Sequence, residues 1–480
     1  MEQKVITVIG SENRIIKANR NALLSEVLSD NGIAVPAVCA GYGSCRKCSV
    51  KLISGEFEGE APDFNGMIRS CKARISTDAV IGIDFSSGSG LTESKINADL
   101  KKGSSGIAVD IGTTTVAVSL LSEDGSTKSV SALNPQSSFG ADVISRIDAC
   151  SKGNLNKLTL LIRNCVNELI SKLTTDKVNE IIVSGNTVML HIFCGISPEK
   201  MGAFPFTPEF TELKHFSGNE LGFNAEKVIV LPSASAFIGS DIISGIYALK
   251  LHRTDKIILF TDLGTNGETV LSCKGKLLCT STAAGPALEG AGIECGTGGI
   301  NGAINKLSIN NGKVEFSTVG NALPLGICSA GLIDAVAELL NCGKIDKTGF
   351  LDGGIFRICR NIFISQQDIR QLQLAKSAIY SGIQMLCNSA CISPNELEAV
   401  YVAGGLGYYA DTQNAVKSGL LPENSNIKAV GNSSLFGALM CIGNTEAVAE
   451  MSIIAKNCKT VPLAGTEEFS RLFTENMMFT

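Results

Sequence analysis

The chain has 480 residues, 44% of them hydrophobic and 18% charged, with a formal net charge of -5. That length supplies two to four domains with real cores, and the composition excludes intrinsic disorder. An acidic balance argues against a nucleic-acid binder, whose phosphate contacts need a basic face, and no apolar run reaches the roughly 18 residues that span a bilayer.

Val5–Ile9 and Arg14–Ala18 read as two strands, followed by helical spacing over Ala22–Ser29 and a stop at Asp30-Asn31-Gly32. Ser49–Ile53 and Val80–Phe85 supply further strands, so residues 1–85 form a small β-rich unit. Residues 86–106 (SSGSGLTESKINADLKKGSSG) have no core-forming period and read as a flexible linker. From Ile107 strands alternate with helices, which predicts an α/β class. Two strands surround a tight turn over 107–121, Leu158–Leu173 is an amphipathic helix and Glu180–Ser184 a buried strand. Lys256–Leu271 repeats the strand–turn–strand pattern, Leu372–Leu386 is a long helix, and Leu435–Ile442 another.

VDIGTTTVAVSL (109–120) and TDLGTNGETVLS (261–272) share one form: an apolar strand, Asp, an apolar residue, Gly-Thr, a short turn, a second strand. Such a repeat predicts a duplicated fold of two similar lobes, about 107–255 and about 256–480.

The 17 cysteines are an odd number in a long chain, so they make no disulfide framework and point to a reducing, cytoplasmic setting. The start, MEQKVITVIG, lacks the features of a signal peptide. His191, His215 and His252 are never at ligand spacing. Only Cys39, Cys45, Cys48 and Cys71 look arranged, at C-x5-C-x2-C-x22-C. Three thiolates on a loop with Gly41 and Gly43, plus one from a later loop, fit a [2Fe–2S] cluster. The rival is structural zinc, which usually takes two C-x2-4-C pairs where this chain has one. The strand–strand–helix order around the cysteines resembles a β-grasp ferredoxin. Arg46 departs from that pattern, where many relatives carry Gly before Lys.

No P-loop occurs. In the two Asp-containing turns, Gly112, Thr113 and Thr114, and Gly264, Thr265 and Asn266, would offer backbone N–H groups and polar side chains to phosphate. Asp110 and Asp262 would hold Mg²⁺ directly or through water. A third element, AVYVAGGLGYYA (399–410), brings Gly404, Gly405 and Gly407 to a strand-to-helix turn against which adenosine can lie. That order resembles the actin/Hsp70/sugar-kinase (ASKHA) ATPases, an RNase H-like fold of two lobes. Phe237–Leu249 and Ser434–Cys441 then stand as the helices that link the lobes. Asp241, on the first of them, is expected either to orient the attacking water or to help cap its helix.

The whole chain resembles the ATP-dependent reductive activators of corrinoid proteins, found in methyltransferase and O-demethylase systems of anaerobes. Further blocks carry the resemblance: NPQSSFGADVISRI (134–147), SGNTVMLHIFCGISP (184–198), FPFTP (204–208), AGPALEGAGIECG (284–296) and GLIDAVAELL (331–340). It implies a [2Fe–2S] domain over 1–85, a linker over 86–106 and an ATPase over 107–480. It also implies the reaction: one electron passes from the cluster to inactive Co(II) to restore Co(I), with ATP hydrolysis. Cofactors would be the cluster, ATP and Mg²⁺. Partners would be a Co(II) corrinoid protein and a low-potential electron donor, with no nucleic acid and no membrane; a homodimer is compatible. Direct passage from the linker into IAVDIGTTT implies a short form without an extra middle domain, and Cys328-Ser329-Ala330-Gly331 departs from a more glycine-rich form. An iron–sulfur activator of dehydratase type and a small-molecule kinase are the alternatives.

Overall fold

A computed structural model describes residues 2–479 except 11–12, 32, 34, 36–42, 44–47, 64–65, 84–93, 97–99, 141, 265, 405–410 and 424–425. In the first unit, β1 (Gln3–Ile9) and β2 (Arg14–Asn19) alternate, burying Ile6, Val8, Ile16 and Ala18 on one face. Helix α1 (Leu24–Asp30) adds Leu24 and Leu28, four residues apart and so on one side. With β3 (Ser49–Ser54), β4 (Met67–Arg69) and β5 (Ala79–Gly82) the sheet runs β2-β1-β5-β3-β4. Only the central β1–β5 pair is parallel. This is the β-grasp arrangement.

Two six-stranded sheets follow. The first contains β6 (Gly106–Ile111), β7 (Thr115–Leu121), β8 (Thr127–Leu133), β9 (Val178–Gly185), β10 (Lys214–Ser217) and β11 (Ala225–Val230), in the order β8-β7-β6-β9-β11-β10. The second contains β12 (Ile258–Leu263), β13 (Gly267–Cys273), β14 (Lys276–Thr282), β15 (Ala399–Ala403), β16 (Ile427–Gly431) and β17 (Cys458–Thr460), in the order β16-β15-β12-β13-β14-β17. In each, an antiparallel meander is extended from its first strand by two parallel strands. The repeated turns thus sit at equivalent corners of two matching sheets. Central β6 is covered on both sides, so Ile107, Ala108 and Val109 are all buried and the strand reads as a continuous apolar run.

Helices α2 (Val143–Ala149), α3 (Leu155–Ser171) and α4 (Thr187–Cys194) belong to the first half; α5 (Ser240–Ala248) joins the halves. The second half adds α6 (Ser329–Asn341), α7 (Gln366–Ser389) and α8 (Ser433–Cys441). Helices α5 and α8 cross closely: a Cβ on Gly437 would stand 2.3 Å from the Ser244 carbonyl, and one on Gly245 3.0 Å from Ser433 Oγ. Only glycine permits that approach.

The stretch expected to be a flexible linker is seated on the body over part of its length. Ser94 forms a β-bridge with Gly431, and the Lys95 N–H donates to the Val430 carbonyl at 3.1 Å. Ile96 and Leu100 pack against buried residues of the two halves. The first unit also touches the body. Ser29 Oγ donates to Ser138 Oγ at 2.9 Å, Ser137 Oγ to the Val35 carbonyl at 3.5 Å, and Lys157 pairs with Asp30 at 3.0 Å.

Candidate functional site

The first repeated turn is held from behind. Asn134 donates its backbone N–H to the Thr114 carbonyl at 2.8 Å and its side-chain amide to the Gly112 carbonyl at 2.9 Å. Arg146 donates to the Thr113 carbonyl at 2.6 Å. In a trans peptide C=O and N–H point in opposite directions, so tying back Gly112 and Thr113 turns the N–H groups of Thr113 and Thr114 the other way. That is the cradle an anion needs. Both holders are fully buried, and Arg146 is anchored through Nε to the Gly140 carbonyl at 3.0 Å. Burial lowers the Arg146 pKa to about 10, which leaves it charged at neutral pH.

Asp110, Asp241, Asp262 and Glu268, each half-buried, lie close enough to raise one another's pKa. Burial, opposed by hydrogen bonds from Ser434 and Asn432, leaves the Asp110 pKa raised. Asp262 is pushed to about 7 by burial and by Asp110, and Asp241 to about 8 by burial, Asp110 and Asp262. Glu268 is driven well above its ordinary value by burial and then by Asp241 and Asp262. Four carboxylates repelling one another are a cluster awaiting positive charge. Among the described residues no three metal-capable side chains are arranged to enclose an ion.

Each carboxylate has its own support. Asp110 accepts from Asn432 Nδ2 at 2.9 Å and Ser434 Oγ at 2.7 Å, both at the start of α8. Asp241 is the second residue of α5, and its Oδ1 accepts from the Ile242 N–H at 2.8 Å. The cap position belongs to Gly239, and Asp241 helps cap the helix from inside its first turn by accepting that N–H. Gly404 has φ +81, and a Cβ there would lie 2.5 Å from Asp262 Oδ1. Its glycine is therefore required by conformation and by the carboxylate beside it. In the second turn the Gly264 N–H donates to the Asn266 carbonyl at 3.0 Å. Thr265, Gly405 and Gly407 lie outside the described residues.

Of the four arranged cysteines, Cys48 and Cys71 are described, both buried, while Cys39 and Cys45, with Arg46, lie outside the described residues. Arg69 is the neighbouring cation. It forks onto Glu60 (Nη2–Oε2 2.7 Å) and donates to the Gly43 carbonyl at 2.8 Å, on the cysteine loop. Its pKa is raised by Glu60 first, with smaller contributions from Cys71 and Cys48. Buried thiols beside a fixed guanidinium are the chemistry an anionic iron–thiolate centre requires.

Sequence reasoning missed Asn134, Arg146, Glu268, Asn432, Ser434 and Arg69. The first two lie in the block 134–147, which carried family likeness without a role.

Three family models match in order: a 2Fe-2S iron-sulfur cluster binding domain over 6–76, the RACo middle region over 105–254, and the C-terminal domain of RACo, its ASKHA domain, over 256–480. The corrinoid activation enzyme RamQ of Eubacterium limosum is 33% identical over 417 residues, 78% of this chain and 70% of RamQ. The chain belongs to the family of reductive activators of corrinoid proteins. A [Co(II) methylated amine-specific corrinoid protein] reductase of Methanosarcina barkeri is 26% identical over 342 residues, 62% of each protein. The solved structure of a reductive activator for a corrinoid, iron–sulfur protein superposes with a TM-score of 0.73 at 26% identity, covering 99% of this chain and 98% of that one. One expectation is overturned. The activator is no short form, because residues 105–254 match the family's middle region, the segment read from sequence as the first ATPase lobe. Among the described residues no helix is long and apolar enough to cross a membrane.

Proposed function

We propose that this activator couples ATP binding and hydrolysis to the one-electron reduction of Co(II) in a separate corrinoid protein, restoring Co(I). Residues 1–85 are the electron-carrying domain, 86–106 the connection, and 107–480 the ATPase, with lobes about 107–255 and about 256–480. A [2Fe–2S] cluster on Cys39, Cys45, Cys48 and Cys71 would supply a one-electron carrier. Gly112, Thr113 and Thr114, with Gly264, Thr265 and Asn266, bind the phosphates; Gly404, Gly405 and Gly407 lie under adenosine. Asp110 and Asp262 would hold Mg²⁺ directly or through water, and Asp241 would orient the attacking water. The electron donor is a low-potential protein of unassigned identity, the compartment the cytoplasm, and a homodimer the assembly to test.

The observation that carries this reading is the docking of the cysteine domain on the back of the first phosphate turn. Ser29 and Val35 touch Ser138 and Ser137, and Asn134, three residues earlier, holds the Gly112 and Thr114 carbonyls. A nucleotide influences electron delivery only if it favours one arrangement of these parts over another, and this contact links the cysteine domain physically to the turn where such a preference would act. The test is anaerobic: protein, a strong chemical reductant and a Co(II) corrinoid protein, with ATP or a non-hydrolysable analogue. ATP-dependent growth of Co(I) absorbance supports the reading, and equal rates without nucleotide reject it. Phosphorylation of a sugar or acid under the same conditions would favour the kinase alternative.

A further inference from the structure

Thr114 Oγ1 donates to the Glu289 carboxylate, 3.0 Å from each of its oxygens. The two residues are 175 positions apart; Thr114 belongs to the first phosphate turn, and Glu289 follows β14 in the second half. Glu289 also reaches the second turn, since a Cβ on Gly264 would lie 3.5 Å from its Oε1. Its own backbone is pinned. It ends a short turn, Pro286–Glu289, flanked by Gly285 at φ +76 and Gly290 at φ +70, and a Cβ on Gly290 would meet the Thr297 carbonyl at 2.2 Å. The side chain is thus presented to both turns from a fixed base.

A threonine hydroxyl carries one proton. It serves the Glu289 carboxylate or a phosphate oxygen, never both, and each of those groups accepts only. The carboxylate also adds negative charge where phosphate must arrive. From this competition we infer that Glu289 is a positioning residue that holds the Thr114 hydroxyl across the two halves and yields it when nucleotide binds. The inference rests on the reading that the two turns bind nucleotide phosphates. It assigns a function to a carboxylate outside the cluster of four. Glu289 sets the cost of nucleotide entry and reports phosphate occupancy across the two halves.

The test is Mg·ADP binding by calorimetry on the full chain, in wild type, Glu289→Ala, Glu289→Gln, Thr114→Val and the Thr114→Val/Glu289→Ala double variant. Hydrogen bonds to charged groups contribute about 1.5–3 kcal/mol, so losing the latch tightens binding by roughly 10-fold or more in Glu289→Ala. Glu289→Gln, which keeps the shape and loses the charge, tightens it less. In the Thr114→Val background the alanine substitution changes affinity by under about 3-fold, because no latch remains to break. A purely structural Glu289 predicts weaker binding in every Glu289 variant, and that result overturns the inference. Equal tightening in both threonine backgrounds also overturns it, by assigning the effect to charge alone. Wild-type protein that binds no ADP would instead remove the underlying nucleotide reading.

Discussion

Asn432 and Asp110 stand 322 residues apart in the chain and meet at 2.9 Å, with Ser434 taking the other oxygen of the same carboxylate. One half of the body thereby holds the acidic group at the repeated turn of the other half. Replacing Asn432 with Ala leaves Asp110 with one donor in a cluster where burial already favours its neutral form. The expected outcome is an ATPase rate lowered about 10-fold, with recovery toward wild type as Mg²⁺ is raised. A rate independent of Mg²⁺ in the variant would assign Asn432 a purely structural part.

Asn134→Ala removes the side-chain donor to Gly112 and leaves the backbone donor to Thr114 in place. The turn keeps its course and loses its rigidity. Nucleotide affinity should fall about 5- to 30-fold, in line with one lost hydrogen bond and a less organised cradle. Titration with ADP checks this, and the visible spectrum of the cysteine domain should be unchanged.

The clustered carboxylates make the stability of the empty protein depend on pH. Asp241 is raised to about 8 from an ordinary value of 3.8, so between those pH values the folded state binds more protons than the unfolded. Stability therefore falls as pH rises through that window. Asp241→Asn removes the titration, so its Tm should exceed that of wild type by a margin that widens from pH 5 to pH 8. Saturating Mg²⁺ and ADP should narrow the gap. Scanning calorimetry at three pH values reads both effects, and a margin that stays constant with pH would contradict the assignment.

Arg69 places a guanidinium near Cys48 and Cys71 and ties down Gly43. A nearby cation favours the more negative, reduced form of a cluster. Arg69→Gln should lower the midpoint potential of the centre, the more so because the Glu60 carboxylate loses the neutralising guanidinium. Redox titration followed by EPR measures the shift, and an unchanged potential would restrict Arg69 to loop anchoring.

The architecture was legible where the signal is local. Apolar runs ending in Asp and Gly-Thr marked both strand–turn–strand corners, and duplication of that pattern pointed to two matching sheets. Four spaced cysteines marked the first unit. What escaped was support from a distance. Asn432, Ser434 and Glu289 act on partners far away in the chain, and no spacing rule links them to Asp110 or Thr114. Arg146 sits on an amphipathic helix where charge ordinarily means solvent, yet it is fully buried against turn carbonyls. The serine- and lysine-rich connection lacked a periodic pattern because scattered contacts seat it: the Ser94 bridge, backbone bonds from Lys95 and Gly103, the Lys101 ammonium on the Gly443 carbonyl, and two apolar side chains, Ile96 and Leu100.

The seating of the connection has a consequence for delivery. Ser94 and Lys95 pair with Gly431 and Val430 in the second half, while the Gly103 N–H donates to the Glu123 carbonyl in the first. The chain that leads to the cysteine domain is therefore fastened to both halves of the body. Any change in the spacing of the halves acts on that chain directly, so a nucleotide that favours one spacing would bias where the cysteine domain is presented.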